Sequence, residues 1–315
     1  MLNEMTVVVF GSINLDLVVE VPRLPATGET VIGNRFFSAA GGKAANQAVA
    51  IAKLGVPVSL VGQVGDDSFG KTLIENLQKE GVNTSGITVN PGTYSGIASI
   101  VVDEIGANTI ACAAGANNLV REQELEQLEK LLPKAKIVLL ELGIPIATVL
   151  NAARLAKAHD CFVILDPAPV ISNIPEELYS LVDLITPNEI EASQLVGFTV
   201  DGVTTARQAG SFLHQMGVKN AIVTLGEKGA LYSHEIEDLW VKPISVSVVD
   251  TVAAGDAFNG ALAAGLASGK SLREALQWGA VGGALAVTKN GAQTSLPTKE
   301  SFQALLERQL LLEQQ

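Results

Sequence analysis

The stretch VSLVGQVGDDSFGKTLIENLQKEG, residues 58–81, contains one complete strand–turn–helix unit. Its beginning is rich in Val and Leu, which predicts a buried strand over residues 58–64. A helical pattern follows over residues 69–80, and Gly81 supplies the residue type that commonly ends a helix. A strand followed directly by a helix is the repeating unit of a parallel sheet with helices on its faces.

The same unit recurs on both sides of residues 58–81. Short apolar runs predict further buried strands over residues 6–10, 137–142, 162–165, 184–186 and 221–225. Apolar residues at helical spacing predict helices over residues 42–54, 148–158 and 205–216. This alternation predicts an α/β fold, a three-layer sandwich around a central, mostly parallel sheet.

Two stretches interrupt the alternation. Residues 15–20 with 30–39, and residues 95–102 with 109–113, are typical of extended segments joined by glycine-containing turns. They predict a small β-layer, formed by about 15–39 and 95–113, that serves as a lid, as a dimer surface or as both. Because there is no repeat, low-complexity tract or linker, residues 1–315 are predicted to form one domain with this lid.

The composition excludes several partners. Asp plus Glu number 33 against 21 Lys plus Arg, a formal charge of −12 that repels nucleic acid. Cys112 and Cys161 have no metal-ligand spacing and are expected to be buried free thiols. The first ten residues lack a signal-peptide pattern, and the Ala/Gly-rich residues 253–269 contain Asp256 and Asn259 and are short for a membrane span. A cytoplasmic protein without membrane contact is therefore expected.

Residues 65–72, GDDSFGKT, match the G-x-x-x-x-G-K-T pattern of a phosphate-binding loop. Residues 162–166, FVILD, could then supply a strand that ends in a magnesium-binding aspartate. However, Asp66 and Asp67 would oppose a bound triphosphate by about several kcal/mol in a poorly screened pocket. We therefore favour a helix start capped by one of these aspartates. A P-loop NTPase that uses residues 65–72 remains the alternative.

Residues 250–260, DTVAAGDAFNG, combine a turn of small residues with one carboxylate. Residues 246–249 before them are strand-like, and a helical pattern begins at Ala257. The small side chains of Ala253, Ala254 and Gly255 allow backbone N–H groups to approach an oxyanion at a helix N-terminus. Asp256 would lie beside that anion, where it could accept a proton from an attacking hydroxyl. The alternative is that Asp256 only caps a tightly packed helix.

Several segments, taken in order, resemble motifs of the ribokinase family of carbohydrate kinases. They are GSINLD (11–16), GGKAANQA (41–48), ITPNEIEA (185–192), TLGEKG (224–229), AAGDAFNG (253–260) and NGAQTS (290–295). Together they span nearly the whole chain, and the joint match is far more specific than any single motif. The resemblance is strongest to bacterial members that act on ribose.

The resemblance implies a ribokinase-like fold and a phosphotransferase with an alcohol group as acceptor. ATP would phosphorylate a small sugar, most simply D-ribose at O5 to give ribose 5-phosphate and ADP. Magnesium and a monovalent cation, K⁺, are the implied cofactors, and a homodimer through the lid strands is the implied assembly.

Roles for single residues follow from the same resemblance. Asp256 would be the catalytic base, and the turn that stabilises the transferred phosphoryl group would be Ala253, Ala254 and Gly255. The sugar would be bound by Asn14, Asp16, Gly42, Lys43, Asn46 and Asp256. The nucleotide would be bound by Asn188, Glu191, Thr224, Gly226, Glu227, Gly229, Ala254 and Gly255. The monovalent cation would be held, partly through backbone oxygens, by Asp250, Val252, Ala286, Lys289, Gly291 and Ser295.

Three positions depart from the pattern of the family. Ala44 replaces a glycine of the GGKGANQA motif, and Ala280 replaces a histidine near the adenine. Gly143 stands where a sugar-contacting glutamate is expected, and Glu141, two residues earlier, could substitute for it. Ala44 and Gly143 leave the acceptor open. Another sugar, a nucleoside, or sugar binding without catalysis are therefore alternatives.

Overall fold

The computed structural model describes residues 6–234 and 236–313. The strands are β1 (Thr6–Phe10), β2 (Asn14–Val21), β3 (Arg35–Gly41), β4 (Val58–Gly65), β5 (Asn83–Asn90), β6 (Gly96–Asp103), β7 (Asn108–Ala113), β8 (Ala135–Glu141), β9 (Phe162–Asp166), β10 (Leu184–Ile185), β11 (Asn220–Thr224), β12 (Ala230–His234) and β13 (Asp238–Val241). The helices are α1 (Lys43–Lys53), α2 (Ser68–Lys79), α3 (Glu122–Leu131), α4 (Ile146–Ala158), α5 (Glu176–Leu181), α6 (Glu189–Val196), α7 (Val203–Gln215), α8 (Ala254–Ala267), α9 (Leu272–Ala286) and α10 (Lys299–Glu313). Within these ranges no helix is both long and apolar enough to cross a bilayer.

The main sheet has nine strands in the order β13-β12-β11-β10-β9-β8-β1-β4-β5. The strands from β11 to β5 pair in parallel, and β12 and β13 add an antiparallel edge. Along β1, Val7 and Val9 belong to one apolar core while Val8 and Phe10 belong to the other. Helices α1, α8 and α9 cover the first face, and α3 to α7 cover the second. This arrangement confirms the prediction of an α/β sandwich.

Four strands form a separate sheet in the order β3-β2-β6-β7, which we call the lid sheet. Strand β2 pairs antiparallel with β3 and parallel with β6. The predicted extended segments are therefore correct, except that residues 30–34 lie outside β3. One domain with a lid stays a prediction.

Two local predictions are wrong. Residues 246–249 include three β-branched valines but form no strand, because the backbone N–H of Val249 donates instead to the carbonyl of Val287 after α9, at 2.7 Å. Cys112 is exposed rather than buried, because it lies on β7 at the outer edge of the lid sheet. Cys161 is buried, as expected.

Asp67, in the segment that imitates a phosphate loop, caps helix α2. Its Oδ1 accepts from the backbone N–H of Gly70 at 2.8 Å and from the hydroxyl of Ser95 at 2.7 Å. Its Oδ2 accepts from the backbone N–H of Ser95 at 2.9 Å. An amide that a phosphate loop would offer to a nucleotide is thus bound to the chain's own carboxylate, which agrees with the helix-cap interpretation.

Candidate active site

A cavity of about 200 Å³ lies at the carboxyl edge of the parallel strands, beside the N-terminus of α8. This edge is where open α/β sheets bind their ligands. The cavity is lined by Lys43, Asp166, Thr186, Asn188, Glu191, Thr224, Thr251, Ala253, Ala254, Gly255, Asp256, Phe258 and Asn259. Eight of these belong to the predicted site: Lys43, Asn188, Glu191, Thr224, Ala253, Ala254, Gly255 and Asp256.

The turn at the N-terminus of α8, which we call the anion turn, consists of Ala253, Ala254 and Gly255, whose small side chains suit an anion site. Ala253 adopts a left-handed conformation with φ of 59°, which costs a non-glycine residue roughly 1–2 kcal/mol. Helix α8 starts immediately afterwards, and Ala254, Gly255 and Asp256 of its first turn line the cavity. At Gly255 an added Cβ would meet nothing within 4 Å, so open space lies beside the turn.

Asp256 lies in the first turn of α8 and is only 6% exposed. Its Oδ2 accepts from the side-chain amide of Asn46 on α1, at 2.8 Å. The two helices can approach closely because Gly260 has no side chain. A Cβ added there would lie only 2.5 Å from the Cβ of Ala50. Burial raises the pKa of the Asp256 carboxyl, while the charge of Lys43 opposes that rise. The carboxylate is therefore held in one orientation at the cavity wall.

Asp166, at the end of β9, lines the cavity next to Lys43. The distance from Lys43 Nζ to Asp166 Oδ2 is 3.8 Å. Burial raises the pKa of Asp166 to about 7, against the lowering effect of Lys43. The sequence offered Asp166 only to the phosphate-loop alternative. A polar residue directly after a buried parallel strand was the signal that could have placed it at this site.

Predicted sugar ligands lie next to the cavity where β2 meets α1. Gly42 has φ of 93°, and a Cβ there would lie 2.6 Å from the backbone nitrogen of Asn14, so the approach requires glycine. At Gly41 a Cβ would lie 2.5 Å from Oδ2 of Asp16. Burial, followed by the charge of Asp256, raises the pKa of Asp16 to about 6. The two aspartates thus interact across one site.

Asn117, which the sequence did not single out, holds Asn14 in place. It is 1% exposed and lies in a short 3₁₀ turn after the lid sheet. Its side chain accepts from the N–H of Ile13 at 2.9 Å and donates to the carbonyl of Ile13 at 3.1 Å. It also donates to Oδ1 of Asn14 at 2.7 Å, which leaves the NH₂ group of Asn14 for a ligand.

Glu141 does not replace the missing glutamate at position 143. It is fully buried, and its carboxylate accepts from the backbone N–H groups of Ser12, at 2.6 Å, and Gly143, at 2.8 Å. Burial raises its pKa to about 7. A Cβ at Gly143 would lie 2.6 Å from Glu141 Oε2, so the buried glutamate excludes a side chain there. Glu141 fastens the loop after β1.

Asn188 and Glu191 form the expected capping box at the start of α6. Oδ1 of Asn188 accepts from the N–H of Glu191 at 2.8 Å, and Glu191 Oε2 accepts from the N–H of Asn188 at 2.9 Å. Both residues and Thr224 also line the cavity. Gly226, Glu227 and Gly229 belong to the turn after β11, outside the cavity lining.

Magnesium fits this site only together with a phosphorylated ligand. Among the described residues no group of three or more His, Cys, Asp or Glu side chains could hold a metal ion. Magnesium commonly takes one or two carboxylates and completes its shell with waters and substrate phosphates. Glu191 and the neighbouring side-chain amide of Asn188 could supply the magnesium ligands that come from the protein.

The residues that the resemblance assigns to monovalent-cation binding lie close together at the C-terminal end of α9. Asp250 accepts from the backbone N–H of Val252 at 3.0 Å and from that of Gly291 at 2.8 Å. The carbonyl of Val287 accepts from the N–H of Asp250 at 3.3 Å. Ser295 is buried, and the Lys289 side chain points to solvent-exposed surface. Residues 250–252 and 286–295 therefore meet, and cation binding there stays a prediction.

A larger cavity of about 430 Å³ lies elsewhere, between the segment after β9 and helices α5 and α6. Its lining is Val170, Ile171, Ser172, Ile174, Tyr179, Gln194, Leu195 and Met216. It contains no carboxylate, amine or imidazole. The groups suited to acid–base chemistry therefore lie in the smaller cavity.

Comparison with known proteins identifies the family of the chain. The model of the pfkB family carbohydrate kinases matches residues 5–299. A ribokinase of Haemophilus influenzae is 39% identical over 96% of this chain and 98% of its own length, and a deoxyribokinase of Salmonella typhi is 35% identical over 96% and 99%. The structure of Arabidopsis thaliana ribokinase complexed with ribose and ATP has a TM-score of 0.88 at 35% identity, covering 96% of this chain and 98% of that one. The predicted resemblance is confirmed, and the chain belongs to the pfkB family of carbohydrate kinases, which are phosphotransferases acting on an alcohol group.

Proposed function

We propose that this enzyme transfers the γ-phosphoryl group of ATP to O5 of D-ribose. The observation that carries the proposal is the Asp256 carboxylate, oriented by Asn46 next to an open turn of backbone amides. The ribokinases among its relatives, and the bound ribose and ATP of the Arabidopsis thaliana structure, support ribose as the acceptor.

In the reaction, the sugar hydroxyl oxygen attacks the γ-phosphorus as its proton passes to Asp256. The bond between the γ-phosphorus and the β–γ bridging oxygen breaks, and ADP leaves with the electron pair. Backbone N–H groups of residues 253–256 stabilise the charge on the transferred phosphoryl group. Lys43, which also lines the cavity, adds a positive charge. Magnesium, held by Glu191 and Asn188, would neutralise charge on the phosphate oxygens.

The sugar site supplies both donors and acceptors for a polyol. Asp16 accepts, Asn14 and Lys43 donate, and Gly42 and Asn46 complete the wall. A site that pairs buried hydroxyls discriminates strongly against analogues that lack them. The lid sheet, which carries Asn14 and Asp16 on β2, would exclude water that competes with the sugar for the phosphoryl group.

A second acceptor, 2-deoxy-D-ribose, is favoured by one feature of the site. Gly143 offers no side chain to the sugar, and Glu141 is buried behind it. A relative named deoxyribokinase matches nearly the whole chain at 35% identity. Loss of one sugar contact would reduce the penalty for a missing hydroxyl.

We expect an ADP-release screen to give the highest kcat/KM with D-ribose, and a lower value with 2-deoxy-D-ribose. The panel should include hexoses and nucleosides, each with K⁺ and with choline as the monovalent cation. K⁺ is expected to raise turnover, because a cation at residues 250–252 and 286–295 would fix the loop that leads into the anion turn. A higher kcat/KM for another acceptor would reassign the substrate, and sugar binding by calorimetry without ADP release would favour a non-catalytic protein.

We expect Lys71→Ala to keep turnover within about twofold of the wild-type value. The Lys71 side chain is 80% exposed and contacts only Glu75, one turn later on α2, in the described part of the chain. The matched control is Lys43→Ala, which removes the lysine that lines the cavity and should lose most activity. The same ADP-release assay decides, and loss of activity in Lys71→Ala would revive the phosphate-loop alternative.

The exposed apolar side chains of the lid sheet support the homodimer as a proposal. Phe36 on β3 and Ile110 on β7 are 65% and 52% exposed. Large apolar side chains and a free strand edge on one small sheet are features that a second copy of the chain would cover.

A further inference from the structure

Gln47 links two carboxylates that belong to different elements of the cavity. It lies on α1 and is fully buried. Its Nε2 donates to Oδ2 of Asp166, at 2.8 Å, and to Oδ1 of Asp256, at 3.4 Å. One NH₂ group carries two protons, so it can serve both acceptors at once.

The orientation of this amide is fixed by its surroundings. If it were reversed, Oε1 of Gln47 would face the carboxylate oxygens of Asp166 and Asp256 and repel both. In the observed orientation Oε1 is buried and has no hydrogen-bond partner among the described residues. A buried unpaired acceptor destabilises a fold, and such exceptions occur where another requirement prevails. Here that requirement is the contact of the NH₂ group with two carboxylates.

The charges around Gln47 are strongly unbalanced. Lys43 on α1 is the cation that faces both carboxylates, and its distance to Asp166 is 3.8 Å. Against it stand the acidic residues of five other elements: Asp16 of β2, Glu141 of β8, Asp166 of β9, Glu191 of α6 and Asp256 of α8. A neutral donor placed between Asp166 and Asp256 reduces their mutual repulsion without adding a charge.

We propose that Gln47 is a positioning residue for phosphoryl transfer, which holds Asp256 at a fixed distance from Asp166 and leaves its carboxylate free to accept the proton of the sugar. Asn46 holds the other oxygen of Asp256, so two consecutive residues of α1 define the plane of the carboxylate. The proposal rests on Asp256 acting as the base.

The test compares Gln47→Met with Gln63→Met. Methionine has nearly the length of glutamine but donates no hydrogen bond. Gln63 is the matched control, because it is also buried and donates to a buried carboxylate, Glu124, at 2.9 Å, away from the cavity. We expect Gln47→Met to move the acidic limb of the kcat profile to higher pH by about one unit, so that kcat there falls roughly tenfold. KM for ATP and for the sugar should change less than about twofold, and Gln63→Met should not move the profile.

A second measurement does not depend on activity. Loss of a donor to a charged carboxylate raises the pKa of that carboxylate in the folded state only. The variant therefore loses stability relative to the wild type as the pH rises through the folded-state pKa. Because burial already raises the pKa of Asp166 to about 7, the stability deficit of Gln47→Met should grow between about pH 6 and pH 9. The deficit of Gln63→Met serves as the comparison in the same thermal-unfolding series.

The outcomes separate this proposal from the proposed function. An unmoved pH profile together with a pH-independent stability deficit in Gln47→Met would overturn the role of Gln47. If the wild-type chain released no ADP with any sugar, the proposed function would fall, while the stability series would still decide whether Gln47 controls the two carboxylates. Should Gln47→Met not fold, Gln47→Asn, which retains the amide on a shorter side chain, is expected to give the same shift.

Discussion

Replacement of Asp256 by asparagine is expected to lower kcat by roughly 10²–10⁴-fold, because asparagine cannot accept the proton of the attacking hydroxyl. The variant should remain folded. Asparagine has nearly the same size, and it removes a charge whose burial is already unfavourable, as the raised pKa of Asp256 indicates. Initial rates of ADP release and thermal unfolding of the same preparation check both statements.

Asp183→Asn is the matched control for this change. Asp183 is also buried, and its carboxylate pairs with Lys157 at 2.6 Å. Neither residue lines the cavity. Its substitution should reduce stability and leave kcat nearly unchanged, the reverse of the result at Asp256. Wild-type turnover in Asp256→Asn would remove the base from the mechanism.

Gly255→Ala is expected to reduce kcat by about 10²-fold or more, because a displacement of about 1 Å at the reacting group has an effect of that size. The added methyl group meets no protein atom within 4 Å, so the folded chain accommodates it. It would instead occupy the open space beside the anion turn, where an oxygen of the transferred phosphoryl group is proposed to lie. Alanine in a helix is also favoured over glycine by about 1 kcal/mol, so stability should not fall.

The control for Gly255→Ala is Gly202→Ala. Gly202 precedes α7, has an extended backbone with φ of −177°, and likewise has nothing within 4 Å of an added Cβ. Its substitution should leave kcat unchanged. If Gly255→Ala kept the wild-type kcat, the space beside the turn would not be the place of the phosphoryl group.

The strands and helices that the sequence predicted correctly are those whose signal is local. Strand β1 and the unit of residues 58–81 were placed to within about one residue, because runs buried on both faces need apolar side chains throughout. Residues 246–249 misled the prediction because β-branched side chains favour extended backbone, whereas a strand also needs a partner. The partner here is the end of a helix, which the local sequence does not reveal.

Motifs located most of the cavity lining, but not the contacts that hold it. Lys43, Asn188 and Asp256 were found from their motifs. Gln47, inside GGKAANQA, and Asp166, at the end of FVILD, were not assigned to this site, because their relation depends on a hydrogen bond between residues 119 positions apart. Asn117 is tied to Asn14 across 103 positions and gives no motif of its own. Such pairs become visible only when the chain has folded.

Asp67, which makes residues 65–72 unsuitable for a nucleotide, also has a structural role. Asp67 accepts two hydrogen bonds from Ser95, which directly precedes β6. It therefore holds one end of the lid sheet to the main body. A redesign of residues 65–72 as a functional phosphate-binding loop would have to remove the Asp67 carboxylate. The lid sheet would then lose this attachment to the main body, and with it the position over the sugar that we propose for it.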